Sequence, residues 1–138
     1  MGGNALSIVR AFLVAQTVLT DVVDQRVYAP RLPEGATLPA VGFFIRGGVS
    51  NPHIPPIAEP SYQFDCWGST AIEARSVYNA LYEALQGVQQ EIVTVGAADY
   101  RILSAVEEVS GQDIQDVEHT GYHRVVTFFR LQVQIQEV

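Results

Sequence analysis

His119 and His123 stand four positions apart, the separation at which two imidazoles on one helix face can hold a zinc ion. Thr120 and Gly121 lie between them and an alternating pattern follows, so the two histidines are expected on either side of a turn. No cysteine is near, and no glutamate is placed as in the zinc-protease motif. Asp113, Asp116 and Glu118 gather carboxylates before that turn. A calcium loop needs acids at alternate positions, a central glycine and a closing glutamate, so these are expected to be solvated hairpin charges. Cys66 falls on the apolar side of an alternating run, the usual place of a small buried thiol. No serine sits in Gly-x-Ser-x-Gly, and neither Gly47-Gly48 nor Gly2-Gly3 opens a phosphate loop. The chain has no lysine, which removes Schiff-base chemistry and the phosphate-binding lysine. No catalytic residue, metal or cofactor is expected, and the protein is not expected to be an enzyme. His53, alone among prolines, has no mechanism attached and is a candidate contact residue.

The charge balance excludes another class. All eight basic residues are arginine and the formal net charge is −7, whereas phosphate-driven binding to nucleic acid needs clustered cations. An acidic body still permits DNA to slide past without sticking. Charged residues make up 17% of the chain, below the quarter or so typical of a soluble domain, while 48% are apolar. Two readings fit: some surface faces neighbouring subunits, or a compact β-rich domain wears Gln, Ser and Thr outside. At 138 residues a single domain over 1–138 is expected, with enough core to need no staples. One cysteine makes no disulfide framework and suits a reducing compartment. The apolar run at residues 5–19 is too short, and too interrupted by Arg10 and Gln16, to span a bilayer, so no membrane association is expected.

The elements follow from periodicity. Ala5, Ile8, Val9, Phe12, Leu13, Gln16 and Leu19 form a stripe that predicts one amphipathic helix, started by Asn4 and fraying towards residues 21–24. Residues 26–29 could form a short extended piece. Pro30, Pro33 and Pro39 bound a loop at residues 31–38, and Val41, Phe43 and Ile45 then alternate in a strand over residues 40–46. Residues 49–60 hold Pro52, Pro55, Pro56 and Pro60, which predicts a projecting Pro-rich loop suited to contact. Tyr62, Phe64 and Cys66 alternate with Gln63, Asp65 and Trp67 in a second strand. Thr70 and Glu73 form a capping box for a second helix whose buried face is Ala74, Val77, Tyr78, Leu81, Ala84 and Leu85, and Gly87 stops it. Strands are expected at 91–95 and 100–109 around a turn near Gly96. The last run is long, with Val125, Phe129, Leu131, Val133 and Ile135 on one face and Arg124, Arg130, Gln132, Gln134 and Gln136 on the other. A strand of over ten residues exceeds the usual five or six, so its end is expected to outrun its partners. The predicted class is α+β: an antiparallel β-sheet flanked by two α-helices, with a Pro-rich loop and a long C-terminal strand.

The order of motifs is familiar. An amphipathic N-terminal helix precedes Arg26-Val27-Tyr28-Ala29-Pro30-Arg31-Leu32-Pro33 and Gly35-Ala36-Thr37-Leu38-Pro39-Ala40. Phe64-Asp65-Cys66-Trp67-Gly68 and the Thr70 helix start follow, then Thr120-Gly121-Tyr122-His123-Arg124-Val125 and the final strand. Over nearly the whole chain this resembles the phage tail-completion family, which includes the tail terminators of siphovirus-type phages and gene-transfer agents. Residues 49–60 have no counterpart in that pattern. The resemblance implies a ring, six-membered in the family, that caps the head-proximal end of the tail tube and offers a surface to neck or connector proteins. It implies a virion location at the head–tail junction after assembly in the host cytoplasm, with DNA as passing cargo. No catalytic residue is carried over.

A closed ring needs two different patches on each subunit. The candidates are the 31–38 loop (Arg31, Leu32), the Pro-rich arm (His53, Ile54, Ile57) and the long strand at 124–136 (Arg124, Arg130, Gln132, Gln134). Arg46, Arg124 and Arg130 are expected to pair with the acidic excess across subunits, since Arg bonds carboxylates bidentately. Another connector or neck ring, a tube-like subunit, or a small cytosolic protein-binding domain working through the Pro-rich loop remain open alternatives.

Overall fold

The computed structural model describes residues 4–49, 57–115 and 122–134, and of residues 47–49, 57–59 and 115 the backbone only. Three helices, α1 (Ala5–Val14), α2 (Thr17–Val23) and α3 (Ala71–Leu85), accompany six strands. These are β1 (Val27–Tyr28), β2 (Ala40–Val49), β3 (Ile57–Gly68), β4 (Gln89–Val95), β5 (Ala98–Gln115) and β6 (His123–Gln134). They form one sheet in the order β1-β2-β3-β6-β5-β4.

The class is α+β, with three departures from expectation. First, the sheet is mixed: β1 pairs with β2 in parallel, Val27 beside Val41, while every other neighbour is antiparallel. Second, the N-terminal stripe makes two helices, not one, bent by 84° at Ala15–Gln16. Asn4 caps α1 as its spacing predicts, its side chain accepting from the amides of Leu6 and Ser7. The bend sends Leu19 and Val23 of α2 towards α3, while α1 buries Ile8, Val9, Phe12 and Leu13 elsewhere. Gln16, the weak point of the stripe, is where the chain turns. Third, within the described residues β6 does not outrun its partners; Ile135 and Gln136, the far end of the expected strand, lie outside them. Gln134 is paired on one side with Ile57 and on the other with Arg101, because β3 and β5 are as long as β6 or longer.

The Pro-rich loop also shrinks. Val49 belongs to β2 and residues 57–60 to β3, Val49 pairing with Glu59 and Gly48 with Pro60. Ladder pairing thus takes up both ends of the predicted arm; His53, Ile54 and the rest of 50–56 lie outside the described residues. At the other hairpin, β5 runs to Gln115, so Asp113 is a strand residue and not a loop charge. Asp116, Glu118 and His119 lie outside the described residues.

All three helices lie on one face of the sheet. α1 touches both β1 and β4, the two edges, so the sheet curls around the helices. Arg10 fastens this arrangement, its Nε–H donating to the Val27 carbonyl at 2.8 Å, and Arg26 does the same to the Pro39 carbonyl. On the helix side Phe43 stacks on Phe64 at 5.3 Å and Phe64 meets Phe129 edge-on at 5.8 Å. Tyr62, Cys66, Leu81, Leu85, Ile102, Leu131 and Val133 complete a core with no exposed surface.

The turn from β3 into α3 is tight. Thr70 Oγ1 accepts from the Glu73 amide, as the capping pair predicts, but the Glu73 carboxylate returns to Ser69, accepting from its amide and its hydroxyl at 2.9 Å each. Gly68 makes this approach possible: a Cβ there would stand 2.5 Å from the Ala74 amide nitrogen and 2.9 Å from the Glu73 carbonyl carbon. Both are backbone atoms that cannot yield cheaply. Gly68→Ala is therefore expected to lower unfolding stability by about 1–3 kcal/mol in urea titration. A variant as stable as the parent would contradict this packing.

Candidate functional site

Strand alternation separates two surfaces. Tyr62, Phe64 and Cys66 of β3 and Val125, Thr127 and Phe129 of β6 face the helices. Ser61, Gln63, Asp65 and Trp67, with Arg124, Val126, Phe128 and Arg130 opposite them, face the other way. Among the described residues no helix covers this second face. It carries several of the residues that the sequence marks as contacts, in two groups about one strand length apart.

The first group crosses four strands. Arg46 of β2 stacks its guanidinium 4.1 Å above the Phe128 ring, and its Nε–H donates to Ser61 Oγ of β3 at 3.4 Å. Ser61 donates in turn to Glu108 Oε1 of β5 at 2.5 Å, and Arg130 of β6 donates to Glu108 Oε2 at 3.0 Å. Arg46 and Arg130 are thus joined through two residues that sequence reasoning missed. Glu107 and Glu108 follow one another on a strand, so they face opposite sides. Glu107 turns inward, where its Oε2 lies 2.7 Å from both Tyr78 Oη and Thr127 Oγ1. The ladder shifts register at this point, between Glu107 and Val109. Two adjacent acids in an apolar run were the available signal for such a bulge.

The second group sits at the opposite end of the same face. Trp67 meets Tyr122 edge-on at 6.2 Å, and the Arg124 guanidinium lies 5.2 Å from the Trp67 ring. Arg124 also approaches Asp65 at 3.8 Å. For Arg124 and Arg130 the carboxylates expected across subunits are thus those of the same chain. Trp67 Nε1 and Arg124 Nε are buried with no acceptor among the described residues. The loop after β1 comes over this end of the sheet, so close that a Cβ on Gly42 would stand 3.0 Å from the Leu32 amide nitrogen. Between loop and strands lies an open groove of about 850 Å³, lined by Arg31, Leu32, Pro33, Glu34, Gly35, Trp67 and Tyr122. Arg31 and Leu32 are therefore brought to one groove with Trp67, the ring that Arg124 approaches, an association that sequence spacing does not reveal. Gln132 and Gln134 lie on β6 at the end of the first group.

The titratable groups here are poor reagents. Cys66 is fully buried, and burial first, then the Asp65 charge, push its thiol far above the ordinary range. A thiolate is the nucleophile, so this cysteine is inert. Burial also raises the Asp65 carboxyl, an effect that the Gln63 hydrogen bond and Arg124 only partly offset. Among the described residues no three His, Cys, Asp or Glu side chains converge as metal ligands. No single helix among them is long and apolar enough to cross a membrane.

Neither a family model nor a curated protein matches the sequence. Among solved structures, a chain of the virion of native gene transfer agent (GTA) particle has a similar fold. Its TM-score is 0.64 at 18% sequence identity, with 94% of each chain covered. At that identity the likeness is one of fold.

Two outcomes follow. In the native protein Cys66 is expected to resist a disulfide reagent such as dithionitrobenzoate and to react fully in denaturant; rapid native labelling would refute its burial. For Asp65, the folded state holds the proton more tightly than the unfolded one. Its contribution to stability is therefore greatest below the ordinary carboxylate range, about pH 4, and is lost as pH rises through the raised folded value. Asp65→Asn should then be at least as stable as the parent at neutral pH and lose that advantage under acid conditions, read by urea unfolding at both.

Proposed function

We propose that this chain is a structural subunit of a phage-type virion, one member of a closed ring that caps the head-proximal end of the tail tube. The observation that carries the reading is the fold likeness to a gene transfer agent virion chain, which extends over nearly the full length of both. The motif order described above supports the same place, and the uncovered sheet face supports an assembling role. A face that holds Phe128 and Trp67 among paired arginines is suited to burial against protein. Its ion pairs are partly exposed, so each contributes at most about 1 kcal/mol to the isolated chain. They gain weight when an interface excludes water.

In this reading the ring's partners are its own copies, six by the pattern of the family it resembles, then the tail tube protein below and neck or connector proteins above. Arg31, Leu32, Arg46, Arg124, Arg130, Gln132 and Gln134 contribute contacts, with Ile57 at the start of β3 and with His53 and Ile54 from the sequence between β2 and β3, outside the described residues. DNA passes through the lumen without specific binding, consistent with the net charge of −7. The subunit functions at the head–tail junction after assembly in the host cytoplasm, and catalyses nothing.

Removing the gene from the parent particle tests the role directly. Loss of a terminator leaves tube growth unchecked, so electron microscopy should show overlong tails without heads, and the intact gene should restore length. Tails of normal length that fail to join heads would move the subunit to the connector. Normal infectious particles would refute both.

A further inference from the structure

We infer that the groove walled by Trp67, Tyr122 and the 31–35 loop takes the proline segment at residues 52–56 of a second copy of this chain. The inference deepens the ring reading and rests on it for the presence of that second copy.

The groove has the chemistry of a proline receptor. Flat aromatic surfaces at right angles, here Trp67 and Tyr122 at 77°, accept the rigid edges of a proline-rich strand, and the facing loop contributes Leu32 and Pro33 together with the charged Arg31 and Glu34. Pro30 and Pro33 also stand three apart, but that run forms the groove's own wall; the other segment of matching composition is Pro52 and Pro55, three apart with Pro56 next and His53 and Ile54 between. Residues 50–56 lie outside the described part and enter as sequence alone. Proline limits the conformations such a segment loses on docking.

Geometry then decides which copy supplies it. The segment is held between Val49 and Ile57, at the end of the sheet where Val49 pairs with Glu59 and Ile57 with Gln134. Trp67 is at the other end, opposite Ala40 and Arg124. The ten steps of β3 from Ile57 to Trp67 span roughly 33 Å. A seven-residue connection fixed at both ends extends at most about 14 Å beyond the strand tips. It cannot reach its own groove. A neighbour's segment can, and the resulting contact joins two different patches head to tail, the arrangement from which rings close.

The test uses the chain's single tryptophan, which lies in the groove. A synthetic peptide of residues 50–59 contains no tryptophan and is titrated into the full-length protein while Trp67 emission is followed. A saturable change with a midpoint on the order of 0.1–1 mM is expected, since several weak contacts suffice to close a ring. A peptide carrying Pro52→Ser, Pro55→Ser and Pro56→Ser should bind about tenfold more weakly, and Tyr122→Ala or, separately, Leu32→Ala in the protein should weaken the native peptide by a similar factor. No saturable change overturns the inference. An equal response to the serine peptide overturns it too, because the groove would then be a general apolar surface. Overlong tails on gene removal together with no peptide binding would leave the ring in place and remove this contact alone. Peptide binding by a chain absent from particles would do the reverse.

Discussion

β6 is hydrogen-bonded on both sides along its described length, to β3 and to β5, and its register with β3 determines what each face of the molecule becomes. A slip of one residue would exchange the two faces. In the observed register Phe64 lies opposite Thr127 and Tyr62 opposite Phe129, which places the aromatic cluster under the helices. The same alignment places Trp67 beside Arg124 and Ser61 beside Arg130 on the outside. Core and contact face are therefore two products of a single pairing. A change that disturbed one would disturb the other.

Much of this was legible because it is local or periodic. The alternation in β3 and β6, the Asn4 cap, the Thr70–Glu73 pair and the Gly87 stop all rest on residues within a few positions of one another. Gly87 has a φ of +82° just past α3, where a side chain would be strained. What remained hidden depends on residues far apart. Gln16 weakens the stripe but does not by itself announce an 84° bend; the demand comes from α3, against which α2 packs. The length of β6 was visible, but not that β3 and β5 match it as far as Gln134. Register shifts in β5 likewise broke the alternation from which its full extent could have been read. Of the contact residues, the arginines were visible as types. Their links through Ser61 and Glu108, and the meeting of Leu32 with Trp67, arise only when strands distant in sequence lie side by side.

The edges of the sheet explain why open-ended strand addition is discouraged. β1 has two residues, too few to template a partner. β4 is longer, but Gln89, Gln90 and Glu91 are exposed, and Gln90 takes a φ of +50° that interrupts a flat edge. Association is thus directed away from the edges. The face with Arg46, Arg124 and Arg130 remains, where guanidinium groups lie on Phe128 and Trp67 rings as well as near carboxylates. Such dual use of flatness and charge suits arginine and not lysine, in keeping with a chain whose cations are all arginine.

The reach of α1 to both edge strands has a consequence for how the chain is made. β4 follows α1 by some eighty positions, so α1 cannot settle between the two edge strands until β4 has been synthesised. Until then Ile8, Val9, Phe12 and Leu13 have no complete surface to cover them. Contacts of such long range slow folding and leave apolar groups open to unwanted association in the interval. Closure of the sheet is therefore a late step, and the apolar face of α1 is the part left open longest.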